Sequence, residues 1–219
     1  MTRANELRTR TDVANAFVRT GSARVIVPVI VVLAIGRLML GEWGRGDLAM
    51  AITIVAMTGT VEWVIHRYLL HAPPQAWISR RLGTGAGHRE HHLDPPELRW
   101  LLLRGIDAAM FLAALTVFSA AWSIPLAWVV GGNVGPSYLT AVALTALGLG
   151  RYEWTHLLIH SAHRPRSSYY ARLAANHRRH HYRNERYWLG VTSNSGDRLL
   201  RTLPSAVDDV VRSETARTL

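Results

Sequence analysis

Four apolar runs of about twenty residues restrict this chain more than any other feature. The first, residues 23–40, reads ARVIVPVIVVLAIGRLML and is interrupted only by Arg24 and Arg37. The others occupy residues 48–70, 106–130 and 138–159. A helix needs about 20 apolar residues to cross the hydrocarbon core of a bilayer, so each run is long enough to span. Backbone amides in hydrocarbon must be satisfied internally, and continuous rather than alternating apolar runs satisfy them as helices. The expected fold is therefore all-α and integral to a membrane, with four transmembrane helices. Arg37, near the far end of its run, is placed to snorkel to the interface. Pro125 marks an expected kink in the third run. A soluble helical bundle is the competing reading, and the Gly-rich turns GEWGRGD and GGNVGP between such runs argue against it.

What surrounds the runs is polar and basic. A lead-in (residues 1–22), two segments expected to form a helical cap (72–105 and 161–203) and a tail (204–219) hold most of the arginines, and the tail is expected to be poorly ordered. The lead-in lacks the early apolar stretch and cleavage site of a signal peptide. All 25 basic residues are arginine, giving a net charge of +10. Such a charge suits nucleic acid or an anionic membrane face. The apolar runs decide for the membrane, with no nucleic acid partner. The turns at 41–47 and 131–136 contain only Arg45, so the positive-inside rule puts both termini and the cap in the cytoplasm. The expectation is a multi-pass protein of the cell membrane forming one membrane-embedded domain over residues 1–219. Cysteine is absent, which excludes disulfides, Cys-ligated zinc and Cys-held iron–sulfur clusters.

The eleven histidines are not scattered. They fall into four boxes: His66 with His71, His88-Arg89-Glu90-His91-His92, His156 with His160, and His177-Arg178-Arg179-His180-His181, with His163 just beyond the third. Residues i, i+3 and i+4 share a helix face, so each H-x-x-H-H box is expected to converge on one point. His66 and His71, five apart, are rotated off one face of an α-helix, so they serve different metals or the helix ends between them. One pair of this kind is more often a surface or core feature than a ligand set. Four boxes with no stray member read as a metal cage. All four lie at the cytoplasmic end of a span or in the cap.

Neutral imidazole ligates Fe, Zn, Cu and Ni. Ten nitrogens exceed what one ion can use, so two metals with about five ligands each is the natural division. A redox pair beside a bilayer suggests oxygen activation on a lipid-soluble substrate. A non-catalytic membrane metal-binding protein, or a metal transporter with ligands at mid-membrane, are the readings from other classes.

The order HRYLLH, HREHH, HLLIH and HRRHH resembles the fatty acid hydroxylase superfamily of integral-membrane di-metal enzymes, from about Glu62 to Thr202. The flanking EWVIHRYLLH and YWLGVTSNSGDRLLRT are most similar to its fatty acid 2-hydroxylase branch. The resemblance implies ligation by His66, His71, His88, His91, His92, His156, His160, His177, His180 and His181, with His163 outside the set and no catalytic residue beyond the ligands. It also implies two iron ions (zinc in overproduced protein), O2, and hydroxylation of a long-chain lipid, most simply a fatty acid or acyl chain. Carotenoid ring hydroxylases and sterol hydroxylases or desaturases are the alternatives within the superfamily. Eukaryotic 2-hydroxylases often carry a fused cytochrome b5 domain that has no counterpart in this sequence. Electrons are expected from a separate ferredoxin or cytochrome with its reductase.

Two carboxylates stand apart from that resemblance. Glu62-Trp63 precedes His66, and Glu153-Trp154 precedes His156, each Glu sharing a helix face with its histidine. A metal-bound imidazole usually gives its other N–H to a carboxylate or carbonyl. Glu62 and Glu153 are therefore expected to orient the ligands, the competing expectation being ion pairs with Arg67 or Arg151.

Overall fold

The computed structural model describes residues 3–82, 85–164, 166–214 and 216, which form helices and connecting loops. Residues 83–84 and 165 of the expected cap, and 215 and 217–219 of the tail, lie outside the described residues. In chain order the helices are α1 (Arg10–Val18), α2 (Gly21–Leu40) and α3 (Arg45–Val64), which runs on as a π-helical turn, Ile65–Leu70. Then come the short α4 (Trp77–Leu82), α5 (Ala86–Leu93) and α6 (Leu98–Leu101), followed by α7 (Gly105–Val129), α8 (Val134–His160), α9 (Ser168–Tyr182) and α10 (Ser195–Leu199). Each apolar run is a helix to within a few residues of its expected bounds.

Three stretches are long and apolar enough to cross a membrane: Gly21–Leu40, Arg45–Leu70 and Leu98–Val129. α8, although 27 residues long, is not among them. Its last turns carry Arg151, Glu153, His156 and His160, and its first half includes Gly135, Pro136, Ser137, Thr140 and Thr145.

The chain divides into two units. One comprises Val18–Thr58 and Leu103–Glu153. Its core is small and apolar: Ile26, Ala108, Leu112 and Ala146 in one cluster, Met50, Ala127 and Ala141 in another. Backbones meet where α2 and α7 begin. A Cβ on Gly21 would lie 2.7 Å from the amide nitrogen of Gly105, so this approach requires glycine. Large apolar side chains such as Val32, Met39, Val55 and Val117 remain exposed, while Ser22, Arg37, Ser119, Ser137 and Thr140 are buried. This inversion of the usual inside and outside is what hydrocarbon surroundings favour, where polar groups pair between helices. Arg37 departs from the snorkelling expected of it. It is 3% exposed and its guanidinium donates to Asp47 (2.6 Å), Thr140 (2.6 Å) and the Gly41 carbonyl, with the Trp43 ring 3.7 Å away. A partner of opposite charge ten residues on, with hydrogen bonds to its remaining donors, makes burial cheaper than extension.

The other unit comprises Met1–Phe17, Gly59–Leu102 and Trp154–Leu219, and it holds all eleven histidines. The lead-in is folded onto it: Ala4 N donates to Pro96 O at 2.8 Å, Arg3 pairs with Asp94, and Phe17 meets Trp154 edge-on. Pro95-Pro96 follow the end of α5 at Leu93, as expected of a proline stop. The first part of the tail is better fixed than its polarity suggests. Arg183 donates to Val210 O, Asn184 to Val211 O, and Ser213 N to Arg183 O, so backbone carbonyls and amides supply the order that apolar residues do not.

Candidate metal centre

The ten expected ligands form two clusters, each with its nitrogens within 4.8 Å of one another: His66, His71, His88, His92 and His180, and His91, His156, His160, His177 and His181. His163 belongs to neither and bonds Arg8 O through Nδ1 at 3.3 Å. The division into fives agrees with the sequence reading. The assignment of residues does not follow box by box.

Each H-x-x-H-H box is split. On α5, His88 and His92 face one cluster and His91 the other; on α9, His177 and His181 face one and His180 the other. The reason is helical geometry. Residues i and i+4 lie about 40° apart around the axis, whereas i+3 sits about 60° to the opposite side. A helix lying alongside two sites therefore offers its i, i+4 pair to one and its i+3 residue to the other. Each cluster thus receives two pairs and one single, and the single comes from the box whose pair serves the other cluster.

The pair formed by His66 and His71 uses a different device. The π-helical turn closes with His71 N bonded to His66 O at 3.0 Å, an i+5 bond. The wider turn returns residues five apart to nearly the same face. The rings stack 5.1 Å apart at 21°, both in the first cluster, so they do not serve different metals. The helix does end between them, at Leu70, with His71 as its C-cap.

The ring nitrogens converge closely. In the first cluster, Nε2 atoms follow one another from His66 to His88 (3.1 Å), His71 (3.1 Å), His180 (3.1 Å) and His92 (3.2 Å). In the second, His177 Nε2 lies 3.1 Å from His156 Nε2 and 3.0 Å from His181 Nε2. Two nitrogens each about 2.1 Å from one ion, at right angles, stand about 3.0 Å apart. Moreover, both ring nitrogens of His91 and Nε2 of His160 are buried without a hydrogen-bond partner. Such nitrogens carry a desolvation cost that a bound cation removes. The residues fit a pair of metal ions.

Charge state agrees. Burial, reinforced by neighbouring imidazoles, holds His88, His91, His177, His180 and His181 far below the usual histidine range, and burial pushes His92 down to about 4. They are neutral near pH 7, the form that ligates. His71, His88 and His92 of the first cluster are only half-buried, as is His160 of the second.

The outer nitrogens lean on backbone. His66 Nδ1 faces Leu189 O at 2.5 Å, His180 Nδ1 faces Tyr187 O at 2.9 Å, and His156 hydrogen-bonds the Leu101 backbone. Neither glutamate contacts a histidine in these bonds, and neither forms an ion pair among the described residues. Glu62 accepts from Val191 N, Thr192 N (2.8 Å) and the Thr192 hydroxyl (2.5 Å). Glu153 accepts from Leu103 N at 3.0 Å and from Ser22. The sequence did not mark Asp197, which is fully buried and accepts from Leu189 N, Gly190 N and Thr202. It is the only acidic residue between Arg186 and Val207, a signal that was present but not tied to the boxes.

Comparison with known proteins gives the family. Fatty acid 2-hydroxylase of Macaca fascicularis is 28% identical over 144 residues, 65% of this chain and 36% of that protein, and the Homo sapiens protein is 27% identical over the same length. The chain thus spans little more than a third of the curated relatives it matches. A solved structure described as full-length Scs7p with only the hydroxylase domain visible shares the fold, with a TM-score of 0.63 at 19% identity over 86% of this chain and 66% of that one. The fatty acid hydroxylase profile matches residues 49–202, a span that takes in all ten clustered histidines, and the chain belongs to that family.

Proposed function

We propose that this chain is a membrane-embedded, O2-dependent hydroxylase of a long-chain lipid, a fatty acid or fatty acyl chain. The observation that carries the reading is the partition of ten histidines into two five-nitrogen clusters within a chain of this family. His66, His71, His88, His92 and His180 hold one iron ion; His91, His156, His160, His177 and His181 hold the other. Glu62 and Glu153 orient ligands through the backbone segments they bind. Bound iron supplies O2 activation. Overall, a C–H bond and O2, with two electrons and two protons, give an alcohol and water.

The chain's own part is to hold neutral imidazoles in place and to keep the outer nitrogens of His66, His156 and His180 bonded to backbone. A separate ferredoxin or cytochrome with its reductase supplies the electrons. In this reading α2, α3, α7 and α8 all cross the cell membrane, and the cap (72–105 and 161–203) and both termini are cytoplasmic. The exposed apolar flanks of α2, α3 and α7 support it. So do the relatives named as fatty acid 2-hydroxylases.

The test is iron-loaded protein in lipid vesicles with a reductase couple, O2 and an isotopically labelled fatty acid or its acyl lipids. Reductant- and O2-dependent formation of a hydroxylated chain is expected. Oxidation confined to a carotenoid or sterol supplied in parallel would overturn the substrate assignment.

A further inference from the structure

Four consecutive amides, those of residues 189–192, point at two buried carboxylates. Leu189 N and Gly190 N donate to the two oxygens of Asp197 at 2.9 and 2.8 Å, and Val191 N and Thr192 N both donate to one oxygen of Glu62. Charge-assisted bonds of this kind are among the stronger ones a backbone can make. Carbonyls of the same segment serve the metal centre: Leu189 O takes His66, and Tyr187 O, two residues earlier, takes His180. Both histidines belong to the same cluster, and the other five have no contact of this kind with residues 187–192 among the bonds described.

The clamp is itself anchored on α3. Trp63 Nε1 donates to the Thr202 hydroxyl at 2.7 Å, and that hydroxyl donates to Asp197 at 2.6 Å. Glu62 and Trp63, adjacent on the helix that bears His66, thus grip both ends of the segment. α10 comes close enough because residue 196 is glycine: a Cβ there would overlap the Gly59 carbonyl oxygen and lie 2.8 Å from Cβ of Trp63. Trp188, fully buried, is held at φ +53°, a strained conformation for a side chain of this size that persists only where surroundings enforce it.

We propose that Asp197, acting with Glu62, is a positioning residue for one metal of the pair: the two carboxylates fix residues 187–192 so that two carbonyls hold the outer N–H groups of His66 and His180. The inference rests on the two-metal reading above. An imidazole whose Nδ1–H is held by a carbonyl keeps Nε2 as the ligating atom and its ring in one orientation. Loosening the segment loosens the metal bound by His66, His71, His88, His92 and His180, and leaves the other in place.

The experiment uses the full chain in detergent or vesicles, loaded with Zn(II) alone and challenged with graded chelator, metal being counted by elemental analysis. The parent should release two equivalents. Asp197→Asn, and separately Glu62→Gln, should release one equivalent at roughly 10–100-fold lower chelator activity, the second being released as in the parent. Added to His66→Ala, Asp197→Asn should cause little further loss; added to His160→Ala, it should leave neither metal firmly held. Melting of the metal-free forms separates a folding defect from a site defect, and Glu62→Gln provides the second variant if Asp197→Asn does not fold. Parallel loosening of both metals, or parent-like release of both in either folded variant, overturns the proposal. A parent that binds fewer than two equivalents overturns the two-metal reading and this inference with it.

Discussion

At the scale of single residues, the split boxes make the two clusters separable. His180→Ala removes a nitrogen from one cluster and His91→Ala from the other, although each sits in an identical H-x-x-H-H box. Each single variant is expected to lower bound metal by about one equivalent and abolish hydroxylation, and the pair to retain none firmly; zinc or iron counts on purified protein check this. Full occupancy in the double variant would sink the assignment. Because zinc outranks ferrous iron for such ligands, strongly overproduced protein is expected to arrive zinc-filled and inactive, and to gain activity on iron exchange. Activity in the zinc form would contradict an iron requirement. The histidines themselves were legible from spacing alone. Their outer partners were not, because a backbone carbonyl leaves no mark in a residue pattern.

Two elements depend on features smaller than themselves. α2 and α3 are tied by Arg37, Asp47 and Thr140, whose polar atoms are buried among apolar helices. Asp47→Ala leaves the guanidinium unpaired and should cost about 3–5 kcal/mol, whereas Arg37→Met with Asp47→Leu should cost far less. Thermal melting of the three proteins decides it; equal losses would show that packing, not charge, matters there. α10 offers the second case. Gly196→Ala drives a methyl into the Gly59 carbonyl oxygen and against Cβ of Trp63, and should cost about 1–3 kcal/mol, a melting shift of roughly 2–4 °C for each kcal/mol in a chain of this length. An unchanged melting temperature would mean that α10 shifts to accommodate the methyl.

Across the whole molecule, the arginine distribution makes a prediction about sidedness. The chain has no cysteine, so single cysteines report cleanly. Cysteine at Thr11, Gly85 or Ser205 should label from the cytoplasmic side, and at Gly44 or Asn133 from the opposite side. Labelling of positions 85 and 133 from the same side would end the four-span arrangement and leave the three strongly apolar stretches as the membrane-crossing set.

The sequence by itself determined the helices and which histidines cluster, since both are written in period and composition: runs of spanning length, proline stops, and histidines at helical spacing. By number alone it also led to the expectation of two groups of five, which is how the ten histidines are arranged. Tertiary structure decided the rest. Which histidine faces which cluster depends on how α5 and α9 are rotated beside two sites, and a spacing common to both boxes cannot carry that. The π-helical turn that brings His71 back beside His66 is a backbone choice made by packing. The burial of Arg37 required Thr140, 103 residues away in the chain. The clamp of Glu62 and Asp197 on residues 189–192 likewise joins groups up to 130 residues apart. Contacts over such separations exist only once the chain has folded, which is why the clustering histidines could be read beforehand and their support could not.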